Sequence, residues 1–248
     1  MSLYVVSDVH GYHDDLLSGL GEAGLVDGEA RWTGGADQLW VLGDLVDRGP
    51  QGIETVQLLR ALQRQAPDHV HVLMGNHEAL ALGTRRFPDG ELHDLWRVNG
   101  GRQRDQDALD EDLQRWLATL PLMARVGDFL LAHSDTTAYR VWGGSVEEVN
   151  ETVRGMLGDP GDEDAHVEVF ARLCSRHHFA GGDGKETATA FLEEYGGDVL
   201  VHGHSIIGMM VGEPPRRTTR PLLYADGLVL DIDGGRYEGG PRLVVRLD

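Results

Sequence analysis

The sequence of 248 residues is 41% hydrophobic and 25% charged, which is typical of a soluble globular chain with one sizeable core. It contains 22 Lys and Arg against 41 Asp and Glu, and the net charge of −19 has the wrong sign for tracking a nucleic-acid backbone. No apolar run reaches the roughly 18 residues that indicate a membrane span. We therefore expect neither nucleic-acid-backbone binding nor a membrane partner.

The N-terminal stretch and the cysteine content favour a cytoplasmic location. MSLYVVSDVHG has no basic segment before its short apolar run, so it lacks the pattern of a secretory signal. Cys174 is the single cysteine of the sequence, which excludes an intramolecular disulfide and suits a reducing compartment. The sequence does not indicate an oligomeric state.

In chain order, short apolar runs of strand type alternate with helical patterns. Five such runs end in polar residues, at 3–11, 38–44, 70–78, 129–134 and 198–205. The segment 51–65 places Ile53, Val56 and Leu59 on one face, which predicts a helix. Further helices are predicted at 109–120, 146–157 and 166–179, and closing strands at 222–235 and 241–247. This alternation predicts an α/β fold with a largely parallel or mixed sheet.

The stretch LWVLGDLVDRGP, residues 39–50, begins with the apolar pattern of a buried strand and continues with charged residues. A turn would account for its Gly, Asp and Pro residues without any function. A binding site would account for them as well, because Asp44, Asp47 and Arg48 follow directly after a core strand. The ends of the other strands decide between these two interpretations.

Polar side chains follow all five of these predicted strands. They are Asp8 and His10, then Asp44, then Asn76 and His77, then His133, and then His204. In open α/β sheets, ligands bind outside the carboxyl ends of the strands. Oxygen and imidazole donors without a thiolate suit Mn²⁺, Fe or Zn²⁺. The polar residues at the end of any one strand are weak evidence for a metal site, but five such strand ends in succession predict one.

The motifs at these positions resemble those of a known family. They are SDVHG (7–11), GDLVDRG (43–49), GNHE (75–78), AHS (132–134) and GHS (203–205), with WRVNGG (96–101) and LDIDGG (230–235) as further landmarks. The chain resembles the calcineurin-like metallophosphoesterases, in particular the phosphoprotein-phosphatase branch with its bacterial serine/threonine protein phosphatases and diadenosine tetraphosphatases. The resemblance implies a four-layer αββα sandwich with mixed central sheets. It also implies one domain over residues 1–248, with 135–195 as a candidate helical insert flanking the site.

The resemblance further implies a centre of two divalent metal ions. The implied ligands are Asp8 and His10 for the first ion, Asp44 for both ions, and Asn76, His133 and His204 for the second ion. Mn²⁺ is the expected metal, with Fe and Zn²⁺ as alternatives. Position 206 is Ile where other branches of the superfamily place a second histidine, which implies a more open first ion.

Catalytic roles are implied by the same motifs. His77 would act as the general acid, and Asp47 would orient it. Arg48 would bind phosphate oxygens, together with Asn76. Glu78 is expected to shape the site rather than react.

A second phosphate-binding arginine normally lies between the last two metal histidines of this family. The candidates are Arg140, Arg154, Arg172 and Arg176. Arg172 or Arg176 is preferred, because their predicted helix leads into the strand that ends in GHS. The turn at 99–101 is expected to shape the site.

The implied function is hydrolysis of a phosphoric monoester, with a metal-bridging hydroxide as the nucleophile. We expect a serine/threonine protein phosphatase. Hydrolysis of diadenosine tetraphosphate or a related nucleotide is the alternative, because the same centre could attack an anhydride phosphorus. A non-catalytic phosphate-binding module is a third interpretation, which the presence of every implied ligand disfavours. The expected partner is a phosphorylated protein or a small phosphoester.

Overall fold

The computed structural model describes residues 2–158 and 161–247. The strands are β1 (Leu3–Val6), β2 (Gln38–Val41), β3 (Val70–Val72), β4 (Met123–Val126), β5 (Phe129–Ala132), β6 (Val199–His202), β7 (Leu222–Tyr224), β8 (Val229–Asp231) and β9 (Val245–Leu247). The α-helices are α1 (His13–Glu22), α2 (Gly52–Gln65), α3 (Asn76–Arg86), α4 (Glu91–Val98), α5 (Gln103–Ala108), α6 (Glu111–Leu117), α7 (Val146–Gly158), α8 (Glu163–Leu173), α9 (Gly184–Tyr195) and α10 (Ile207–Met210).

These strands form two mixed sheets. The first has the order β3-β2-β1-β9, in which β1, β2 and β3 are parallel and β9 is antiparallel to β1. The second has the order β4-β5-β6-β8-β7, in which β5, β6 and β8 are parallel and both outer strands are antiparallel to their neighbours. The predicted α/β fold with mixed sheets is confirmed.

The two sheets pack face to face, with helices on their outer faces. Val5 of β1 and Val201 of β6 lie in one buried cluster between the sheets. Because successive strand residues point to opposite faces, their neighbours Val6 and Leu200 lie instead in the larger cluster that the helices complete. Helices α1 and α2 cover the first sheet, and α7 and α9 cover the second. This arrangement is the four-layer αββα sandwich expected from the motifs.

Residues 135–195 contain α7, α8 and α9, and all three helices contribute to the main core. Val149, Val169 and Phe191, one from each helix, are buried in the same cluster as the strands. The assignment of the chain to a single domain stays a prediction. None of the described helices combines the length and the hydropathy needed to cross a bilayer.

The predicted helix at 166–179 is wrong in its bounds. Helix α8 ends at Leu173, and His177 has a φ of 67°, which an α-helix does not allow. Helix α9, which leads into β6, begins only at Gly184. It is absent from the predicted elements, as are α1, α3, α4, α5 and α10. The argument that placed Arg172 and Arg176 on the helix before the GHS strand is therefore wrong.

Candidate metal centre

The polar residues that follow the parallel strands meet in one buried cluster. Asp8, Asp44, His133 and His204 lie within three residues of the ends of β1, β2, β5 and β6, respectively. All four side chains are buried, and one donor atom of each lies within 4.8 Å of those of the others. The structure thus brings these residues together at the edge where the strand ends place them.

Asp44 belongs to a second cluster as well, with His10 and His77. Its Oδ2 lies 3.5 Å from Nε2 of His10, and its Oδ1 lies 3.4 Å from Nε2 of His133. A carboxylate shared by two clusters is what a bridging ligand requires. Asp8, however, groups with His133, while its Oδ1 lies 3.9 Å from Nε2 of His10. The division of ligands between two ions therefore stays a prediction.

Much of this loop backbone is left-handed. Ten non-glycine residues in the described ranges have a positive φ. Six of them are predicted site residues, namely Asp8, His10, Asp44, Asp47, Arg48 and His204. Such conformations are uncommon for these residue types and cluster at functional sites. Gly203 lets two of the loops meet, because a Cβ there would overlap Oδ2 of Asp8.

Backbone carbonyls orient the three candidate histidine ligands. Nδ1 of His10 lies 3.1 Å from the carbonyl of Val46, and Nδ1 of His133 lies 2.8 Å from that of Leu42. Each Nδ1–H donates there, so each Nε2 keeps its lone pair for a metal. His204 is reversed: its Nε2 lies 3.2 Å from the carbonyl of Cys174, which leaves Nδ1 as its free nitrogen. Burial lowers the pKa of His10 and of His204 well below the usual value, which favours the neutral form that binds metals.

The donor set fits divalent cations. Oδ1 of Asn76 lies 2.9 Å from Nε2 of His133, and with Nδ1–H of His133 donating to Leu42, both atoms present lone pairs that a cation can bind. Burial, and then the neighbouring Asp8 carboxylate, raise the pKa of Asp44 well above its usual value. Buried carboxylates held this close are ordinarily paired or coordinate a metal.

His77 lies beside these ligands with both ring nitrogens engaged. Nδ1 of His77 donates to Oδ2 of Asp47 at 2.8 Å, and Nη2 of Arg48 donates to Nε2 at 3.2 Å. Asp47 also accepts a hydrogen bond from Nε1 of Trp96 at 2.9 Å, which fixes its carboxylate. Burial raises the pKa of Asp47 to about 6, and burial followed by the Arg48 charge lowers the pKa of His77.

Glu78 joins the two motif loops. Its carboxylate accepts hydrogen bonds from the backbone N–H groups of Asp44, Leu45 and Gly75, at 2.8, 2.7 and 2.9 Å. The contact with Gly75 also caps the start of α3, whose first residue is Asn76. Glu78 therefore holds the two loops together, and its expected role in shaping the site stays a prediction.

The two candidate arginines differ in position. Nε of Arg172 pairs with Glu168 one helical turn earlier at 2.7 Å, on the partly exposed face of α8. Nη1 of Arg176 lies 3.4 Å from the backbone carbonyl of His204 and so contacts a loop of the site. Arg176 is the one of the pair for which the structure records a contact with the cluster.

Three residues at the site lie outside the predicted set: Trp96, Asp233 and Tyr237. Asp233 follows β8, the third parallel strand of the second sheet, and its buried Oδ2 has no hydrogen-bond partner among the described residues. The ring centroid of Tyr237 lies 3.8 Å from Cζ of Arg48 and 5.0 Å from the ring centroid of His10. The motifs WRVNGG and LDIDGG contain or adjoin all three residues and were the available signal.

A two-sheet sandwich with oxygen and imidazole donors gathered at its strand ends defines a metallophosphoesterase. The profile of the calcineurin-like phosphoesterase family matches residues 1–208, and the chain belongs to this family.

This chain is similar in sequence to curated tetraphosphatases and in fold to solved structures of phosphatases. The symmetrical bis(5'-nucleosyl)-tetraphosphatase of Vibrio campbellii is 31% identical over 144 residues, which are 54% of this chain and 44% of that protein. This chain therefore covers less than half the length of that curated relative. The cold-active protein-tyrosine phosphatase of a Shewanella species has a TM-score of 0.76 at 20% identity, covering 100% of this chain and 75% of that chain. A protein serine/threonine phosphatase from Saccharomyces cerevisiae has a TM-score of 0.60 at 16% identity, covering 94% of this chain and 67% of that chain. At these identities the two solved structures show a shared fold alone.

Proposed function

We propose that this chain is a metal-dependent hydrolase that cleaves a phosphoric anhydride bond in a dinucleoside polyphosphate. The observation that carries the chemistry is the position of Asp44, whose two carboxylate oxygens face two different histidines in two donor clusters. The support for the substrate is the name of the curated relatives, which are symmetrical tetraphosphatases. That substrate corresponds to the alternative drawn from the motifs rather than to the expected phosphoprotein.

The proposed centre takes two divalent cations. The residues that would hold them are Asp8, His10, Asp44, Asn76, His133 and His204. When bound, the cations would activate water and neutralise charge on the phosphoryl group. Mn²⁺ is the proposed metal, because the donor set is oxygen and imidazole, and this set equally suits Fe and Zn²⁺.

Arg48 is proposed to hold the substrate phosphate. Its guanidinium lies between Nε2 of His77 and the ring of Tyr237, at the mouth of the buried cluster. A planar guanidinium can donate to two phosphate oxygens at once. Asn76 and Arg176 are proposed as further phosphate contacts, Asn76 because it adjoins His77 and Arg176 because it contacts the His204 loop.

His77 is proposed as the proton donor to the leaving oxygen. Asp47 fixes the ring through Nδ1, so Nε2 is the atom that faces Arg48 and the proposed phosphate position. In the present hydrogen-bond pattern Nε2 accepts from Arg48, and donation therefore requires that Arg48 turn to phosphate and that Nε2 carry a proton. Asp47 acts here as a positioning residue.

A phosphoprotein is the second candidate substrate. The observation in its favour is the pair of motifs GDLVDRG and GNHE, which resemble those of the protein-phosphatase branch. The metal chemistry is common to both candidates, so the identity of the leaving group separates them. A cytoplasmic location is proposed with either substrate, since Cys174 is the single cysteine.

The test compares two substrates on the Mn²⁺-loaded protein. Diadenosine tetraphosphate should be split into ADP, and chromatography measures the ADP formed. The kcat/KM for this reaction should be at least about tenfold higher than that for phosphate release from a phosphoserine peptide. The Asp44→Asn variant, purified identically, measures contaminating activity. The opposite ranking would assign the chain to protein phosphatases, and no turnover with two ions bound would favour the non-catalytic module.

A further inference from the structure

A cleft of about 600 Å³ opens directly beside Arg48. It is lined by Arg48, Tyr237 and the exposed Glu238 on one side, and by Val98, the last residue of α4, and residues 99–102 on the other. Sites for small molecules commonly span about 300–1,000 Å³, so the cleft is large enough for a nucleoside. The metal ligands and His77 do not line it.

The floor of the cleft is joined to the proposed phosphate site. The backbone N–H of Arg48 donates to the carbonyl of Gly100 at 2.9 Å, and Nε of Arg102 donates to the carbonyl of Arg48 at 3.1 Å. Gly100 has a φ of +88°, and a Cβ there would lie 2.9 Å from Cγ of Arg48. The loop therefore rests on Arg48 without an intervening side chain, and a group bound to Arg48 continues into the cleft.

The walls combine features that suit a base and its phosphates. Val98 is 81% exposed although it is apolar, and it ends α4 at the opening of the cleft. Tyr237 adds a partly exposed aromatic ring, whose contact with Arg48 is 3.8 Å from centroid to Cζ. Arg102 is exposed and adds a second cation to that of Arg48, in a chain whose net charge is −19. Apolar and aromatic surface beside two guanidinium groups matches a nucleobase attached to phosphate groups.

We infer that this cleft binds the nucleoside end of a nucleoside diphosphate whose phosphate contacts Arg48. The inference rests on the proposed function for its substrate class, and it assigns the recognition of the nucleoside to Val98 and Tyr237. A phosphopeptide is a different occupant, and the experiment separates the two.

The experiment measures equilibrium binding, so it requires no turnover. Calorimetric titration of the Mn²⁺-loaded protein should give a lower Kd for ADP than for inorganic phosphate. Val98→Asn should raise the Kd for ADP about tenfold, equal to about 1.4 kcal/mol, and that for phosphate by less than about twofold. The matched control is Val141→Asn, a residue that is 55% exposed and does not line the cleft, and it should change neither constant.

Two results would overturn the assignment. ADP binding no tighter than phosphate, or unaffected by Val98→Asn, would mean that the cleft does not recognise a nucleoside. A phosphoserine peptide whose Kd depends on Val98 while that of ADP does not would make the cleft a peptide groove. Failure of the proposed function is separate, because it appears as absent hydrolysis of the dinucleotide whatever the Kd for ADP.

Discussion

Replacing Asp44 by Asn should stabilise the metal-free protein while removing most of the stability that metal binding adds. Oδ1 of Asp44 accepts a hydrogen bond from the backbone N–H of His77 at 2.9 Å, and the amide oxygen of Asn can do the same. The amide nitrogen would then replace Oδ2, which lies 3.5 Å from Nε2 of His10, and it could donate to the lone pair on that nitrogen. The substitution therefore keeps the local geometry and removes one buried negative charge.

The size of the effect follows from the spacing of the charges. Donor oxygens of Asp8 and Asp44 lie within 4.8 Å of each other, and two unit charges at that distance repel by about 3.5 kcal/mol at an effective dielectric constant near 20. Burial, and then the Asp8 carboxylate, raise the pKa of Asp44, so both effects disfavour the charged carboxylate that the substitution removes. We expect the free energy of unfolding without metal to rise by about 1–3 kcal/mol, and Tm by about 2 °C or more.

Metal binding should show the opposite effect. A site filled at a hundredfold excess over Kd adds about 2.7 kcal/mol of stability, and both clusters share Asp44. Scanning calorimetry on chelator-treated protein, with and without Mn²⁺, measures both quantities. Asp47→Asn is the matched control, because that buried carboxylate bonds to His77 and Trp96 and should leave the metal-induced shift in place. If Asp44→Asn lowers the metal-free Tm and Mn²⁺ then raises it as much as in the wild type, Asp44 is not a shared ligand.

Other substitutions test other parts of the site. Arg48→Ala should weaken the binding of substrate and of inorganic phosphate together, while the metal content, measured by mass spectrometry, stays unchanged. Equal inhibition by phosphate in the variant and the wild type would contradict phosphate binding by Arg48. His77→Ala should cost about 10²–10⁴-fold with phenyl phosphate but markedly less with p-nitrophenyl phosphate, whose leaving group needs no proton. An equal loss on both substrates, with metals still bound, would contradict proton donation. Gly203→Ala should displace Asp8 and reduce metal content, because the new Cβ would overlap its Oδ2; full metal content would show that the loops can move apart.

The ends of the strands could be predicted from the sequence, for a physical reason. A parallel strand buried on both faces is a continuous apolar run, and its first polar residues mark the sheet edge where ligands collect. Asp8, Asp44, His133 and His204 were identified in this way, and the structure brings them together. The helices between the strands were predicted less well. The segment 166–179 has a helical pattern throughout, but α8 ends at Leu173.

The motifs WRVNGG and LDIDGG mark the residues that surround the ligands, but the contacts of these residues could not be predicted, because their partners are distant in the chain. Trp96 contacts Asp47 across 49 positions, and no local pattern encodes such a contact. Tyr237 reaches Arg48 from a turn flanked by Gly235 and Gly239, both of which have a positive φ. Arg172 and Arg176 lie close in sequence, yet one pairs with Glu168 and the other approaches the site.

The contacts of Arg48 connect these elements. Its backbone is held by Gly100, and its guanidinium lies against Tyr237 and donates to His77, so the group is already placed at the site before any phosphate arrives. The hydrogen bond that now engages Nε2 of His77 comes from Nη2 of Arg48. A phosphate that takes this Nη2 donor would free Nε2 of His77. In the proposed site, one guanidinium can therefore couple phosphate binding to exposure of the proposed acid.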